Sequence, residues 1–112
     1  MKKVLIVLAL AATLSVTLAA TAQAHLLSFG KAAAVARAVA ERDCRNDPDC
    51  AEYGAFKSDC KRASQHRVRC YALNAGTDAG GNYGCERPVL VKLKNDSRDV
   101  VFVTGNRTCV RL

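Results

Sequence analysis

Six cysteines, Cys44, Cys50, Cys60, Cys70, Cys85 and Cys109, are the residues most able to do chemistry in this chain. Thiolates at suitable spacing hold zinc, but zinc ligands come in Cys-x2–4-Cys knuckles whose tight turn brings two sulfurs to one ion. Here the spacings are Cys-x5-Cys and then Cys-x9-Cys-x9-Cys, so disulfides are the expected chemistry and no metal is assigned. The two histidines offer a second possibility. His25 could chelate copper through a free amine and its imidazole with His66 as a third nitrogen, but two histidines make a minimal constellation. A third set is His66, Glu86, Arg87, Arg67, Arg69 and Lys61, the residue types with which a small secreted ribonuclease would move a proton and hold a phosphate. The glycine-rich stretch Gly76 to Gly84 lacks the Gly-Lys-Ser/Thr ending of a phosphate cradle. No catalytic residue and no cofactor is assigned, and a non-enzymatic role is favoured.

The disulfide reading depends on compartment. Lys2 and Lys3, the apolar run Val4 to Ala20 and the small residues of Ala22-Gln23-Ala24 form the pattern of a cleavable signal peptide over residues 1–24. The expected mature protein is one small domain, residues 25–112, with no membrane span, secreted or held in the periplasm or cell envelope. At 88 residues its core alone is marginal, and three disulfides fit that need. Asn95-Asp96-Ser97 and Asn106-Arg107-Thr108 match glycosylation sequons, but the leader has a bacterial look and their use is not expected.

Charge sets the partner class. The whole chain carries a formal +7; without Lys2 and Lys3, fifteen basic residues face ten acidic ones, a net of +5. Most of the excess lies from Cys60 onward. Such a field attracts an anionic envelope polymer or an acidic protein, although surface charge also serves solubility. Nucleic acid is disfavoured, because base-stacking modules show several aromatics and this chain has three Tyr and three Phe.

The elements that must position these residues follow from periodicity. Ser28 to about Cys44 predicts a helix with Ser28 as N-cap and a thin stripe of Phe29, Ala32, Ala33, Ala36, Val39 and Ala40. Asn46-Asp47-Pro48 is a turn signal. Four strands are then expected, over Ala55–Arg62, Arg67–Leu73, Tyr83–Lys94 and Asp99–Val110, with Ala75 to Asn82 as a loop. Short connections imply an antiparallel meander, so the fold class is α+β: one N-terminal helix packed on a four-stranded antiparallel sheet.

In the expected register Cys60 opposes Cys70, Cys70 opposes Cys85, and Cys85 opposes Cys109, with Val91 opposite Val103 and Leu93 opposite Val101. Four cysteines would then form one row on the helix-covered face, shared with Phe56, Ser58, Val68, Ala72 and Val89. Cys44–Cys50, Cys60–Cys70 and Cys85–Cys109 are the preferred bridges, with Cys70–Cys85 equally near among fifteen possible pairings. The same register sets Arg87 against Arg107 unless Pro88 marks a bulge. Lys57, Lys61, Arg67, Arg69, Lys92 and Lys94 then project from the opposite face with Tyr71 and Leu90. That basic sheet face is the candidate binding surface.

The segment Cys60-Lys61-Arg62-Ala63-Ser64-Gln65-His66-Arg67-Val68-Arg69-Cys70 resembles a Cys-x-Arg-x-Ser-x-x-Arg-Val-x-Cys pattern in small exported actinobacterial proteins of uncharacterised function. The resemblance implies a helix packed on an antiparallel sheet and carries no catalytic residue or partner. A helix on a four-stranded sheet is also similar in shape to cystatin-type inhibitors. Their Gln-x-Val-x-Gly loop is absent, so that similarity concerns architecture alone.

Overall fold

The structure is a computed structural model that describes residues 26–54, 59–94 and 98–112. The expected signal peptide, His25, Lys57, Phe56, Ser58 and the Asn95 sequon lie outside the described residues.

The helix, α1 (Phe29–Arg45), starts where the sequence places it: the Ser28 side chain accepts a hydrogen bond from the Lys31 N–H at 3.1 Å. Its buried stripe is Ala32, Ala36, Val39 and Ala40, with Phe29, Ala33 and Val35 at the margins. Side chains this small let the helix sit close on the sheet, against Val68, Cys70, Ala72, Val89 and Val91. Leu27, just before the helix, is fully buried, and its N–H donates to the Gln65 carbonyl. Arg62 fixes the same corner, donating to the carbonyls of Leu27, Ser64 and Gln65 with its guanidinium 5.0 Å from the centre of the Phe29 ring.

Among the described residues, six strands, two of them long, occupy four positions across one antiparallel sheet. They are β1 (Cys50–Gly54), β2 (Lys61–Ser64), β3 (Arg67–Asp78), β4 (Gly81–Leu93), β5 (Val100–Thr104) and β6 (Thr108–Arg111). β3 and β4 form a long central hairpin; β1 and β2 line the outer edge of β3, and β5 and β6 line that of β4. The α+β architecture expected from the sequence is therefore present, with three disulfides, Cys44–Cys50, Cys60–Cys70 and Cys85–Cys109.

Two details of the register differ from expectation. The stretch Ala75 to Asn82 is mostly strand, not loop, and the hairpin closes through Ala79 and Gly80 between paired Asp78 and Gly81. Asp78 accepts the Gly80 N–H at 2.8 Å and Gly81 takes a φ of 108°, which suits glycine. Cys70 consequently opposes Val89 and Cys85 opposes Asn74, so the four cysteines form two rows, not one. The slip is four residues. Being even, it leaves each side chain on its expected face. Phe56, Ser58, Val68 and Val89 were expected on the helix side; of these, Val68 and Val89 are described and buried there.

The second difference is the β4–β5 register, which shifts by one across a bulge at the place where Pro88 signalled one. Arg87 and Pro88 on β4 face Gly105, Asn106 and Arg107 between β5 and β6, and the Gly105 N–H donates to the Pro88 carbonyl. A bulge of one residue reverses the alternation beyond it. Val91 therefore opposes Phe102 and Leu93 opposes Val100, while Val101 and Val103 turn to the uncovered face. Arg87 and Arg107 are not left confronting each other: Arg87 chelates Asp43 at 2.8 and 3.2 Å, and Arg107 reaches Asp47 at 3.0 Å and Asn74 at 2.6 Å.

Gly76 has a packing reason to lack a side chain. A methyl group there would overlap the Asp49 carbonyl and the Tyr83 hydroxyl, and the Asp49 backbone is tied down by the Cys44–Cys50 bridge and by Thr77. Gly76→Ala is expected to lower stability by about 2–3 kcal/mol, read by urea denaturation. An unchanged midpoint would show that the Asp49 turn yields freely.

Candidate functional site

The alternation of β3 and β4 splits the sheet into two faces of different chemistry. Residues Val68, Cys70, Ala72 and Asn74 meet the helix side; Arg67, Arg69, Tyr71 and Leu73 point away from it, and no described element covers them.

Five rows of this outer face can be read directly from the pairing. Arg67 lies opposite Lys92, which lies opposite Val101. The next row is Lys61, Arg69, Leu90 and Val103. Tyr71 then opposes Pro88, Leu73 opposes Glu86, and Ala75 lies between Glu52 and Gly84. Four cations thus occupy the two rows nearest the β2–β3 turn, while Glu86 and Glu52 lie toward the other end. Directly opposed side chains are about 5 Å apart at Cβ, and successive outer residues on one strand are about 7 Å apart. Lys61, Arg69, Arg67 and Lys92 therefore make a zigzag of positive charge over three strands.

Among the described residues, neither like-charged pair has an ion-pair partner to compensate it. Lys61 is directly opposite Arg69, Arg67 is directly opposite Lys92, and the ion pairs found among the described residues involve none of the four. Like charges directly across an antiparallel pair oppose folding. Lys61, Arg67 and Arg69 are exposed and Lys92 is half-buried. Tyr71, 43% exposed, stands beside the zigzag, with Val103 at 56%. Lys94 is exposed just beyond the end of β4. Lys61, Arg67, Arg69, Tyr71 and Lys92 are thus brought together, joined by Val101, Val103 and Pro88. The bulge that Pro88 signalled delivers the two valines, its extra residue lying in Gly105-Asn106-Arg107 opposite Arg87 and Pro88.

Of the residues for RNA hydrolysis, Lys61, Arg67 and Arg69 lie near His66, but Glu86 and Arg87 do not join them. His66 lies in the β2–β3 turn, its carbonyl accepting the Leu93 N–H at 3.0 Å. Glu86 is seven residues further back along β4, about 23 Å away. Arg87 faces the helix side, bonded to Asp43. The cysteines of the zinc alternative are all disulfide-bonded, and among the described residues no three His, Cys, Asp or Glu side chains group closely enough for a metal.

The helix-side counterpart of the basic face is a polar layer that sequence reading missed. Asp47 accepts hydrogen bonds from the Tyr83 hydroxyl at 2.7 Å, from Arg107 and from the Asp49 N–H. Those bonds, led by that from Tyr83, hold its carboxyl below the ordinary value of 3.8. The same contact pushes Tyr83 up to about 12 from 10.0. Asp78 is likewise lowered, by Arg111 first and then by the Gly80 N–H. These pairs span 33 to 60 residues of sequence and leave no local pattern.

Their linkage to folding has a definite sign. A depressed carboxyl stabilises the fold above its unfolded value and loses that contribution as pH falls through the folded one; a raised phenol stabilises below its unfolded value and loses that contribution as pH rises through the folded one. Stability is expected to decline below about pH 4 and again between pH 10 and 12. In Asp47→Asn both limbs should flatten in urea midpoints measured against pH. Limbs identical to wild type would remove Asp47 from the account.

The comparisons add no relative: the chain matches no protein-family model, no curated protein and no solved structure.

Proposed function

We propose that this protein works outside the cytoplasm as a non-enzymatic binding module whose outer sheet face grips an anionic polymer. One observation carries the reading: two like-charged cross-strand pairs, Lys61/Arg69 and Arg67/Lys92, project from a face that no described element covers, and no ion pair among the described residues involves them. Such pairs work against folding and gain from an external anion. Three disulfides suggest an oxidising, extracytoplasmic setting, which agrees with the signal-peptide pattern of residues 1–24. No described helix is long and apolar enough to cross a membrane. Acidic envelope polymers are the first candidate class of anion, and an acidic protein is the second. Binding to an immobilised polyanion, measured by interferometry with and without Arg67→Glu/Arg69→Glu, tests the reading. Retention of wild-type affinity by the variant would remove it.

A further inference from the structure

The cationic zigzag explains attraction to negative charge but not Tyr71. This ring is 43% exposed on the row next to Lys61 and Arg69, and its direct cross-strand neighbour is the exposed Pro88. No hydrogen bond from the Tyr71 hydroxyl is found among the described residues, so neither burial nor a polar contact accounts for a tyrosine there. Two ring-bearing side chains side by side make a flat apolar step, with Leu90 and Val103 extending it along the next row. An aromatic ring presents a negative face, which attracts polarised C–H groups.

We propose that the polymer is an acidic polysaccharide, whose carboxylates meet Lys61, Arg67, Arg69 and Lys92 while a sugar ring lies over Tyr71. This rests on the binding reading above and names its ligand class. Sugar rings offer what the surface demands: a C–H-rich face for the Tyr71–Pro88 step and anionic groups a few ångströms further on for the arginine forks. Single-stranded nucleic acid fits less well. Its binders stack successive bases on several aromatics, and Tyr71 is the one aromatic among these rows; Tyr53 pairs with the helix-side Asn74 and stands on a distant edge. The shape agrees with an extended chain, since the cationic rows lie on open sheet. The depression formed by Leu73, Gly84, Glu86, Thr108 and Val110 is at the other end of the face, beside an acid.

Polygalacturonate, inorganic polyphosphate and poly(U) serve as probes of the oxidised protein, at matched charge concentration and fixed salt. The expected order places polygalacturonate at least about tenfold tighter than the other two. Tyr71→Ala should weaken polygalacturonate about fivefold to tenfold and leave polyphosphate unchanged, while Tyr71→Phe keeps wild-type affinity. Equal affinity for all three probes, or an equal loss on every probe in Tyr71→Ala, would overturn the ligand class and leave the anionic-polymer reading standing. Preference for poly(U) would assign the face to nucleic acid instead. Self-association that blocks the probes would assign it to a second copy. Binding to none of the probes by a folded monomer would bring down the binding reading together with this one.

Discussion

Full reduction of the three disulfides is expected to unfold the protein at 25 °C. The bridges close loops of 6, 10 and 24 residues in sequence separation, for which the chain-entropy treatment gives about 2, 3 and 3.5 kcal/mol. Their total, about 8 kcal/mol, is as large as the whole net stability of an ordinary small domain. The core offers little to replace it, because the helix contributes three alanines and one valine to the fully buried stripe. Local consequences should differ by bridge. Cys44–Cys50 closes the turn that carries Asp47 and Asp49, so its loss frees the bonds to Tyr83, Arg107 and Thr77. Cys85–Cys109 ties β6 to β4, and Cys60–Cys70 ties the chain just before β2 to β3. Replacing Cys85 and Cys109 together by Ala should cost about 3.5 kcal/mol, and replacing Cys44 and Cys50 together about 2 kcal/mol. Far-UV circular dichroism and amide dispersion, recorded with and without reductant, read the first result. A reduced protein that keeps native dispersion and a cooperative melt would show that packing alone holds the fold.

Charge reversal on the outer face should separate binding from stability. In Arg67→Glu/Arg69→Glu each new carboxylate faces a lysine, Lys92 or Lys61, so two repulsive cross-strand pairs become attractive. Both pairs lie at the surface and are screened, which limits the gain in stability to a few tenths of a kcal/mol per pair. Affinity for a polyanion should fall roughly 100-fold to 1000-fold at about 0.1 M salt, because the contacts of four cations are lost or opposed. The two readouts therefore move in opposite directions. A merely structural role for the arginines predicts lower stability with the same variant, and a purely solubilising role predicts no change in binding.

Much of the fold was legible because its signals are local. Ser28 followed by an alanine-rich periodic run defines the helix, and strict alternation from Arg67 to Ala72 separates a basic from a buried face before any contact is known. Placing cysteines opposite one another on that alternation favours the bridges Cys60–Cys70 and Cys85–Cys109 but leaves Cys70–Cys85 equally near; the four-residue slip of the hairpin is what separates that pair. What escaped was set by distant parts of the chain. Gly76 reads as loop, yet it is strand because the Asp49 turn and the Tyr83 ring lie against it. Val101 and Val103 read as core, yet one extra residue near Arg107 turns them outward. Arg87 and Arg107 read as a conflict that a bulge at Pro88 would relieve; the bulge is present, but the aspartates that hold them, 44 and 60 residues away, left no signal. Five residues of the candidate surface share one face as expected, because the register slip on β3 and β4 was even. Lys61, Arg67, Arg69, Tyr71 and Lys92 kept their face, and the bulge added Val101 and Val103 to it.

The most direct test of the central claim is the salt dependence of polygalacturonate binding. With four cations engaged on a single polyanion chain, the slope of log K against log salt should be about −3, and Arg67→Glu/Arg69→Glu should abolish measurable binding over the same range. An affinity that does not change with salt, or the same slope in wild type and variant, would contradict the assignment of binding to Lys61, Arg67, Arg69 and Lys92.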